Sequence, residues 1–204
     1  FQVDRGSVEN YLWNLVAGQT NVKAIDGARV GHIEWGDCAN GMDSMHTVTY
    51  ETSEGSQRLS GRWLVDASGR ASLLKRRFGI AKDVNHQASA AWIRVRDEID
   101  IDQWSRDSAW HDRIVQGSRR LSTNHLMGRG YWVWIIPLAT GYTSIGIVAD
   151  SSIHDFEHFN SRDRFMSWIS AHEPQLARSL YSREALISDF KVMKNYSHLS
   201  LIHI

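Results

Sequence analysis

Two tryptophans and a proline stand at fixed spacing in the apolar run 130–138, which reads G-Y-W-V-W-I-I-P-L. Side chains alternate between the two faces of a β-strand, so Trp132 and Trp134 would project from one face and Val133 and Ile135 from the other. Pro137 has no backbone N–H and would end the ladder. Two neighbouring indoles form a flat apolar wall, which can line a small-molecule pocket or simply fill a hydrophobic core.

Other residue types that carry chemistry do not form a recognisable set. The chain has 10 histidines, and His154 and His158 are four residues apart, but no third ligand stands at a clear zinc-binding spacing. Ser68 and Ser144 lack the paired histidine and the elbow of a hydrolase triad. The sequence therefore predicts no metal site and no catalytic residue.

Three stretches, in order along the chain, resemble one enzyme family. They are the opening Phe1–Arg5 followed by a helix, the V-D-A-S-G turn at 65–69, and W-x-W-x-I-P at 132–137 with the strand 143–148 after it. Together they resemble the flavin-dependent halogenases, the tryptophan-halogenase-like family of FAD-dependent oxidoreductases. The matches are spread over most of the chain.

The resemblance implies an activity for a parent enzyme. In that family reduced flavin, supplied by a flavin reductase or by NAD(P)H, reacts with oxygen, and the flavin hydroperoxide oxidises halide for halogenation of a small, typically aromatic, organic substrate. The same scaffold also serves FAD-dependent monooxygenases and reductases. An alternative of another class is a non-catalytic domain whose tryptophans line a small-molecule pocket.

The resemblance also implies where the cofactor would be bound. Arg5 would lie near the FAD pyrophosphate, although it could equally be a surface arginine beside Asp4. Ile25 would meet the adenine. Asp66 and Gly69 belong to the turn that approaches the cofactor, where glycine permits close backbone approach or a positive φ; Asp66 could instead cap the following helix.

Trp132, Trp134 and Pro137 would lie, by the same resemblance, beside the isoalloxazine and the tunnel to the substrate. The chain has no G-x-G-x-x-G turn, and the catalytic lysine, glutamate and halide-binding turn of the family would fall outside it. Because the chain opens on Phe1 and stops in an apolar segment, we expect an internal piece of a longer protein. Alone it would be inactive and would bind FAD weakly or not at all.

Composition limits the other possibilities. The 204 residues are 42% hydrophobic and 23% charged with a formal net charge of zero, which gives no electrostatic reason to expect nucleic acid or an anionic membrane as partner. No apolar run is long enough to cross a bilayer. The single cysteine, Cys38, excludes an internal disulfide and favours a reducing, cytoplasmic location.

Periodicity predicts the elements that must position these residues. A helix over 7–17 follows from the apolar spacing of Val8, Tyr11, Leu12 and Leu15, with Ser7 as its N-cap. A strand, turn and helix unit is expected around Asp66 and ends at Gly79. Strands are predicted at 22–25, 29–35, 46–52 and 58–66, and the middle ones are expected to form antiparallel hairpins.

The second half predicts further strands at 89–95, 131–137 and 142–149, with Gly141 in the turn, and then helices starting near Ser161 and at Pro174. Helices mixed with antiparallel strands indicate the α+β class. The resemblance refines this to a partial FAD-binding domain with an α/β flavin-domain portion over residues 1–80 and a substrate-binding domain with an antiparallel sheet over 81–204.

Overall fold

The computed structural model describes residues 2–36, 45–82, 84–114, 117–197 and 199–200. The chain divides into two compact units. The small unit is built mainly from Tyr11–Ala81, and the large unit from residues 2–10 and 82–199. The α+β class is confirmed, whereas the roles predicted for residues 1–80 and 81–204 stay predictions. Among the described residues, no helix has both the length and the apolar character needed to cross a membrane.

Helix α1 spans Arg5–Ala17, two residues longer at its start than predicted. Asp4, not Ser7, is the cap, because its Oδ1 accepts a hydrogen bond from the Gly6 amide at 3.1 Å. The predicted end is confirmed, since the Gly18 amide still donates to the Asn14 carbonyl at 3.2 Å. The apolar face of the helix is exposed, and none of its residues is buried.

The small unit contains a three-stranded antiparallel sheet in the order β1-β2-β3. Its strands are Arg29–Glu34, His46–Thr52 and Gly55–Gly61. The predicted strand over 58–66 is wrong beyond Gly61, because Gly61 pairs with His46, the first residue of β2, and β3 then has no partner. The predicted strand at 22–25 is wrong as well, since those residues pair with neither edge of this sheet.

Helix α2, Leu73–Arg77, follows a short 3₁₀ turn over Gly69–Ala71. It ends at Phe78 and Gly79, where Gly79 has φ +63°, so the predicted stop is confirmed. A hydrogen bond from the Arg77 guanidinium to the Ile33 carbonyl ties the helix to β1. The three-stranded sheet therefore fixes the position of the turn that precedes α2. Cys38 lies outside the described residues.

The large unit contains a five-stranded antiparallel sheet in the order β6-β7-β8-β5-β9. In chain order β5 to β9 are Ala88–Val95, Asn124–Gly128, Tyr131–Pro137, Thr143–Asp150 and Ile187–Met193. The strands predicted at 89–95, 131–137 and 142–149 are confirmed. Both outer strands were missed by the sequence analysis. Two-residue strands β4, Ala81–Lys82, and β10, Leu199–Ser200, complete the set in the described part of the chain.

Helices α3 to α5 span Ser108–His111, Arg162–His172 and Pro174–Tyr181. Ser161 caps α4 through a hydrogen bond from the Arg164 amide at 3.4 Å, and Pro174 opens α5 at its first position, both as predicted. These two helices bury Phe165, Trp168 and Leu180 against one face of the five-stranded sheet. The main hydrophobic core lies in that layer.

Candidate functional site: an indole-bearing sheet face and a capped turn

Strand β7 divides its side chains between two separate hydrophobic clusters. Val133 and Ile135 are buried in the main core under α4 and α5. Trp132 and Trp134 pack instead into a second, smaller cluster on the opposite face of the sheet, where they are only half-buried. The predicted segregation of the two faces is confirmed, and the paired indoles are not part of the main core.

This second face, which we call the indole face, has its apolar centre on three strands. Ala88, Ala90 and Val148 are its buried members, and the half-buried rings around them belong to Trp92, Trp132, Trp134 and Tyr196. Strand β6 extends the same face toward solvent, because His125 pairs with Trp134, Met127 pairs with Trp132, and both are exposed. Apolar rings that keep part of their surface accessible can contact a planar ligand.

Trp134 lies flat against the sheet. Its indole Nε1 donates a hydrogen bond to Ser144 Oγ at 3.2 Å, and its ring lies over Gly146. On the other side of Gly146 stands Trp92, whose ring centroid is 6.3 Å from that of Trp134 at an interplanar angle of 42°. The sequence motif marks Trp134 but not Trp92, because only the strand register shows that the two residues share a face.

A charged cluster borders the indole face at one end. Arg94 Nε donates to Asp189 Oδ2 at 2.5 Å, and Arg94 Nη1 lies 3.3 Å from Asp4 Oδ2. The hydrogen bond to Asp189 raises the pKa of the Arg94 guanidinium, against a smaller lowering by burial. No sequence motif marks these residues, since the β5–β9 pairing joins positions 95 residues apart. The cluster fixes a permanent cation beside the apolar rings.

At the other end of the sheet is a polar cavity of about 680 Å³. The segment before β5, the segment after β8 and the segment after β9 line it, with His86, Asp150 and Asn195 among its residues. Hydrogen bonds from the Ser152 side chain and amide lower the pKa of Asp150. The apolar indole face thus lies between two polar ends.

Pro137 is the last residue of β7 and is half-buried. It pairs with Thr143, and the chain turns immediately afterwards, with the Leu138 amide donating to the Tyr142 carbonyl at 2.7 Å. Gly141 has φ +77° in this turn, as the glycine at that position predicted. The turn sets the register of β7 on β8 and so places Trp134 opposite Gly146.

In the small unit, Asp66 organises the V-D-A-S-G turn. Its Oδ1 accepts from the Ser68 amide at 2.9 Å, and its Oδ2 accepts from the Leu74 amide at 2.8 Å in the first turn of α2. Hydrogen bonds from Ser68, and then from the Leu74 amide, lower the pKa of the Asp66 carboxyl. The capping role left open by the sequence is therefore what the structure shows, since both carboxylate oxygens are engaged within the turn.

Gly69 follows in the left-handed region with φ +58°, and a Cβ placed there would meet no atom within 4 Å. The backbone at this point is open to a ligand. Beside the turn lies a groove of about 250 Å³, whose walls are mostly apolar side chains of the three-stranded sheet and α2, including Ile33, Val48 and Leu74. The turn could hold a cofactor through its backbone, whereas the Asp66 side chain would act by shaping it.

Ile25 and Arg5 belong neither to the indole face nor to the V-D-A-S-G turn. Ile25 is half-buried in a stretch without regular secondary structure, just before a turn in which Gly27 has φ +64°. The Arg5 side chain is 88% exposed and pairs with Glu9 one helical turn away. Of the predicted residues, the structure brings Trp132, Trp134 and Pro137 together on one strand of the large unit, and Asp66 and Gly69 together in one turn of the small unit.

The described residues contain no group of three or more side chains placed to hold a metal ion. His154 Nε2 lies 2.9 Å from the Arg129 carbonyl, and its ring packs edge-on against Tyr131 and Trp168. His158 ends a short 3₁₀ turn over Phe156–His158. His154 thus packs beside the main core, whereas His158 is exposed.

Known proteins similar to this chain are flavoenzymes. The curated relatives include flavin-dependent halogenases. One of them, chlA of Dictyostelium discoideum, is 28% identical over 226 residues, which cover 98% of this chain and 34% of the relative. The chain therefore spans about a third of that relative's length. No family model matches the chain.

Solved structures give the same result for the fold. A flavoprotein/dehydrogenase from Cytophaga hutchinsonii has a TM-score of 0.68 at 21% identity, covering 98% of this chain and 44% of its own. The flavin-dependent brominase Bmp2 has a TM-score of 0.66 at 21% identity, covering 97% and 45%. In sequence and in fold, the chain is therefore a relative of the flavin-dependent halogenases.

Proposed function

We propose that this chain is part of an FAD-dependent halogenase, in which the indole face forms one wall of the space between flavin and substrate. The observation that carries the proposal is the placement of Trp132 and Trp134 outside the main core, on a half-open face. Similarity to flavin-dependent halogenases over nearly the whole chain supports it. Residues 1–80 would contribute to FAD binding and residues 81–204 to substrate binding.

When bound, reduced FAD would supply the redox chemistry: together with oxygen it would provide the oxidant for a halide. The role of the indole face would be to exclude water from the flavin and to keep the organic substrate from reacting with it directly. Rigid indoles fixed to a sheet can do both. Pro137 ends β7, and the turn that follows it sets the register in which Trp134 lies opposite Gly146. We propose a small aromatic molecule as substrate and a flavin reductase or NAD(P)H as source of reduced flavin. We propose a cytoplasmic location, because a chain with a single cysteine, Cys38, forms no internal disulfide and suits a reducing compartment.

Cofactor contacts in the proposal come from backbone and one cation. Gly69 offers an open backbone with positive φ, and Asp66 holds that turn in shape. Arg5 is available for a phosphate, because its exposed pair with Glu9 contributes only about 0–1 kcal/mol and yields readily to a stronger partner. Ile25 would lie against the adenine.

The deciding experiment supplies the complete protein with reduced FAD, oxygen and either bromide or chloride, and analyses products from a panel of phenols, indoles and pyrroles. A halogenated product that disappears without halide is expected. A hydroxylated product formed without halide would favour a monooxygenase instead. Reduction of substrate without oxygen would favour a reductase, an alternative that the likeness to a flavoprotein/dehydrogenase keeps open.

A simpler test separates an enzyme from a non-catalytic binding domain. The 204-residue chain, purified alone, should carry no yellow flavin, because its sequence has no dinucleotide-binding glycine turn. The complete protein should bind FAD and show its visible spectrum. If the complete protein bound aromatic ligands but no flavin, the enzyme proposal would be wrong and the binding-domain alternative would stand.

A further inference from the structure

Three strands of the large unit align a row of three residues across the indole face. Gly146 on β8 pairs with Trp134 on β7 and with Trp92 on β5. The two tryptophans are therefore two strands apart, about 10 Å at the backbone. Their ring centroids are only 6.3 Å apart, and the ring that lies over the glycine is that of Trp134.

A side chain at position 146 is incompatible with this arrangement. A Cβ built on Gly146 would lie 2.1 Å from Trp134 Cζ2, 2.3 Å from Cη2 and 2.5 Å from Cε2. Non-bonded carbon atoms prefer about 3.5–4.0 Å, so even alanine would push the indole outward by about 1 Å or more. The φ of Gly146 is not in the left-handed region, and hence the requirement for glycine is steric.

The same edge of the Trp134 ring is also held by a polar contact, because Nε1 is bonded to Cε2. Ser144 lies two residues before Gly146 on β8 and so on the same face, and its Oγ accepts the Trp134 Nε1 hydrogen at 3.2 Å. In the adjacent row across the same three strands, the middle position on β8 is Val148, which pairs with Ala90 on β5 and with Trp132 on β7. That row therefore has a side chain where the first row has glycine. Trp134 therefore has an empty position beneath its ring at Gly146 and a hydrogen-bonding anchor at Ser144 in the neighbouring row on the other side.

We propose that Gly146 is a positioning residue that seats the Trp134 indole flat on the sheet, with Ser144 fixing its rotation and Trp92 continuing the same surface. The height of the Trp134 ring then sets the depth of the space above the indole face. The consequence for catalysis rests on the proposed function, whereas the seating itself does not. Gly146 acts through Trp134 and needs no contact with substrate or flavin.

A double-mutant cycle in the complete protein tests the seating. Gly146→Ala should change the near-ultraviolet circular dichroism of the tryptophans and lower the denaturation midpoint. In the Trp134→Leu background the same substitution should have little effect, because the clashing ring is gone. Gly31→Ala is the matched control: it is also a strand glycine, but its added Cβ meets nothing closer than 3.7 Å. Equal effects of Gly146→Ala in both backgrounds would overturn the proposal.

A catalytic measurement tests the consequence. In the complete protein we expect Gly146→Ala to lower the ratio of halogenated product to oxygen consumed by about tenfold, since displacing a reaction-site group by about 1 Å commonly has effects of that size or larger. If wild-type protein forms no halide-dependent product, the proposed function fails and the double-mutant cycle still decides the seating. A wild-type ratio in Gly146→Ala would exclude the catalytic role.

Discussion

The carboxylate of Asp4 joins the start of α1 to strand β5, because it caps the helix with one oxygen and faces the Arg94 guanidinium with the other. Oδ1 accepts from the Gly6 amide at 3.1 Å, and Oδ2 lies 3.3 Å from Arg94 Nη1. The cation itself is held more closely by Asp189. One acidic side chain therefore supports both the helix that carries Arg5 and the charged end of the indole face.

Replacing Asp4 should separate these two roles. We expect Asp4→Ala to lower the free energy of unfolding by about 1–2 kcal/mol, of which about 1 kcal/mol is the lost cap and the rest the lost ion pair. Asp4→Asn retains a capping oxygen and should lose only the smaller part. Urea denaturation of the three proteins measures the difference. Equal stability of Asp4→Ala and wild type would show that the cap contributes nothing.

Asp66 should make stability depend on pH. Its pKa is lowered on folding from the ordinary value of 3.8, so its contribution is present above pH 3.8 and is lost as the pH falls through the lower, folded-state pKa. Asp66→Ala should cost about 1 kcal/mol at neutral pH, as expected for a helix cap, and less in acid. Denaturation midpoints at pH 7 and pH 3 measure this.

The control for Asp66 is Asp66→Asn, which keeps one oxygen acceptor and removes the titrating charge. It should retain part of the stability at pH 7 and show a flatter pH profile than wild type. A Asp66→Ala protein as sensitive to acid as wild type would place the titrating group elsewhere.

Tyr131 should titrate unusually late. Burial, and then the hydrogen bond to Glu173 Oε1 at 2.9 Å, raise the pKa of its phenol to about 12. Since the pKa is raised on folding, the stabilisation is complete below pH 10 and is lost as the pH rises from 10 toward 12. Ultraviolet titration of tyrosinate should show Tyr131 titrating after the main transition, and Tyr196, whose pKa burial also raises, should shift in the same direction. Glu173→Gln removes the charge and should bring Tyr131 back toward pH 10.

Replacing a side chain by alanine should have different effects on the two faces of β7. Val133→Ala removes a fully buried side chain from the main core and should cost about 2 kcal/mol of stability. The ratio of halogenated product to oxygen consumed should be the same in the Val133→Ala protein as in the wild type. Trp132→Ala should instead lower that ratio by about tenfold while the fold is retained.

Calorimetry of the Val133→Ala and Trp132→Ala proteins measures their stability. The ratio of halogenated product to oxygen consumed, determined for both, measures the catalytic effect. If Trp132→Ala kept wild-type coupling, the indole face would have no shielding role.

Much of the fold could be predicted because its signals are local. The alternation of Trp132 and Val133, the Ser161 cap and the proline at 174 each act within a few residues, and the structure confirms them. The failures are non-local. Residues 22–25 have a strand-like composition but pair with no strand in the described part of the chain, and β3 ends opposite His46, the first residue of β2. Chain composition cannot reveal a missing partner.

The candidate site shows the same limit. The indole pair was visible in the sequence, but Trp92, Gly146 and Ser144 join it only through the register of three strands. Arg94 and Asp189 likewise meet through the β5–β9 pairing. For Asp66, both the cap and the cofactor contact were physically possible, and only the positions of the Ser68 and Leu74 amides show that its oxygens are engaged.

The strand order of the five-stranded sheet has a consequence for synthesis on the ribosome. Strand β5 emerges early, yet one of its neighbours is β8 and the other is β9, which ends at Met193. Until those residues have left the exit tunnel, the nascent chain carries an apolar strand with unsatisfied backbone donors and acceptors, the state most prone to pair with another molecule. A polypeptide ending before Ile187 would keep that liability permanently.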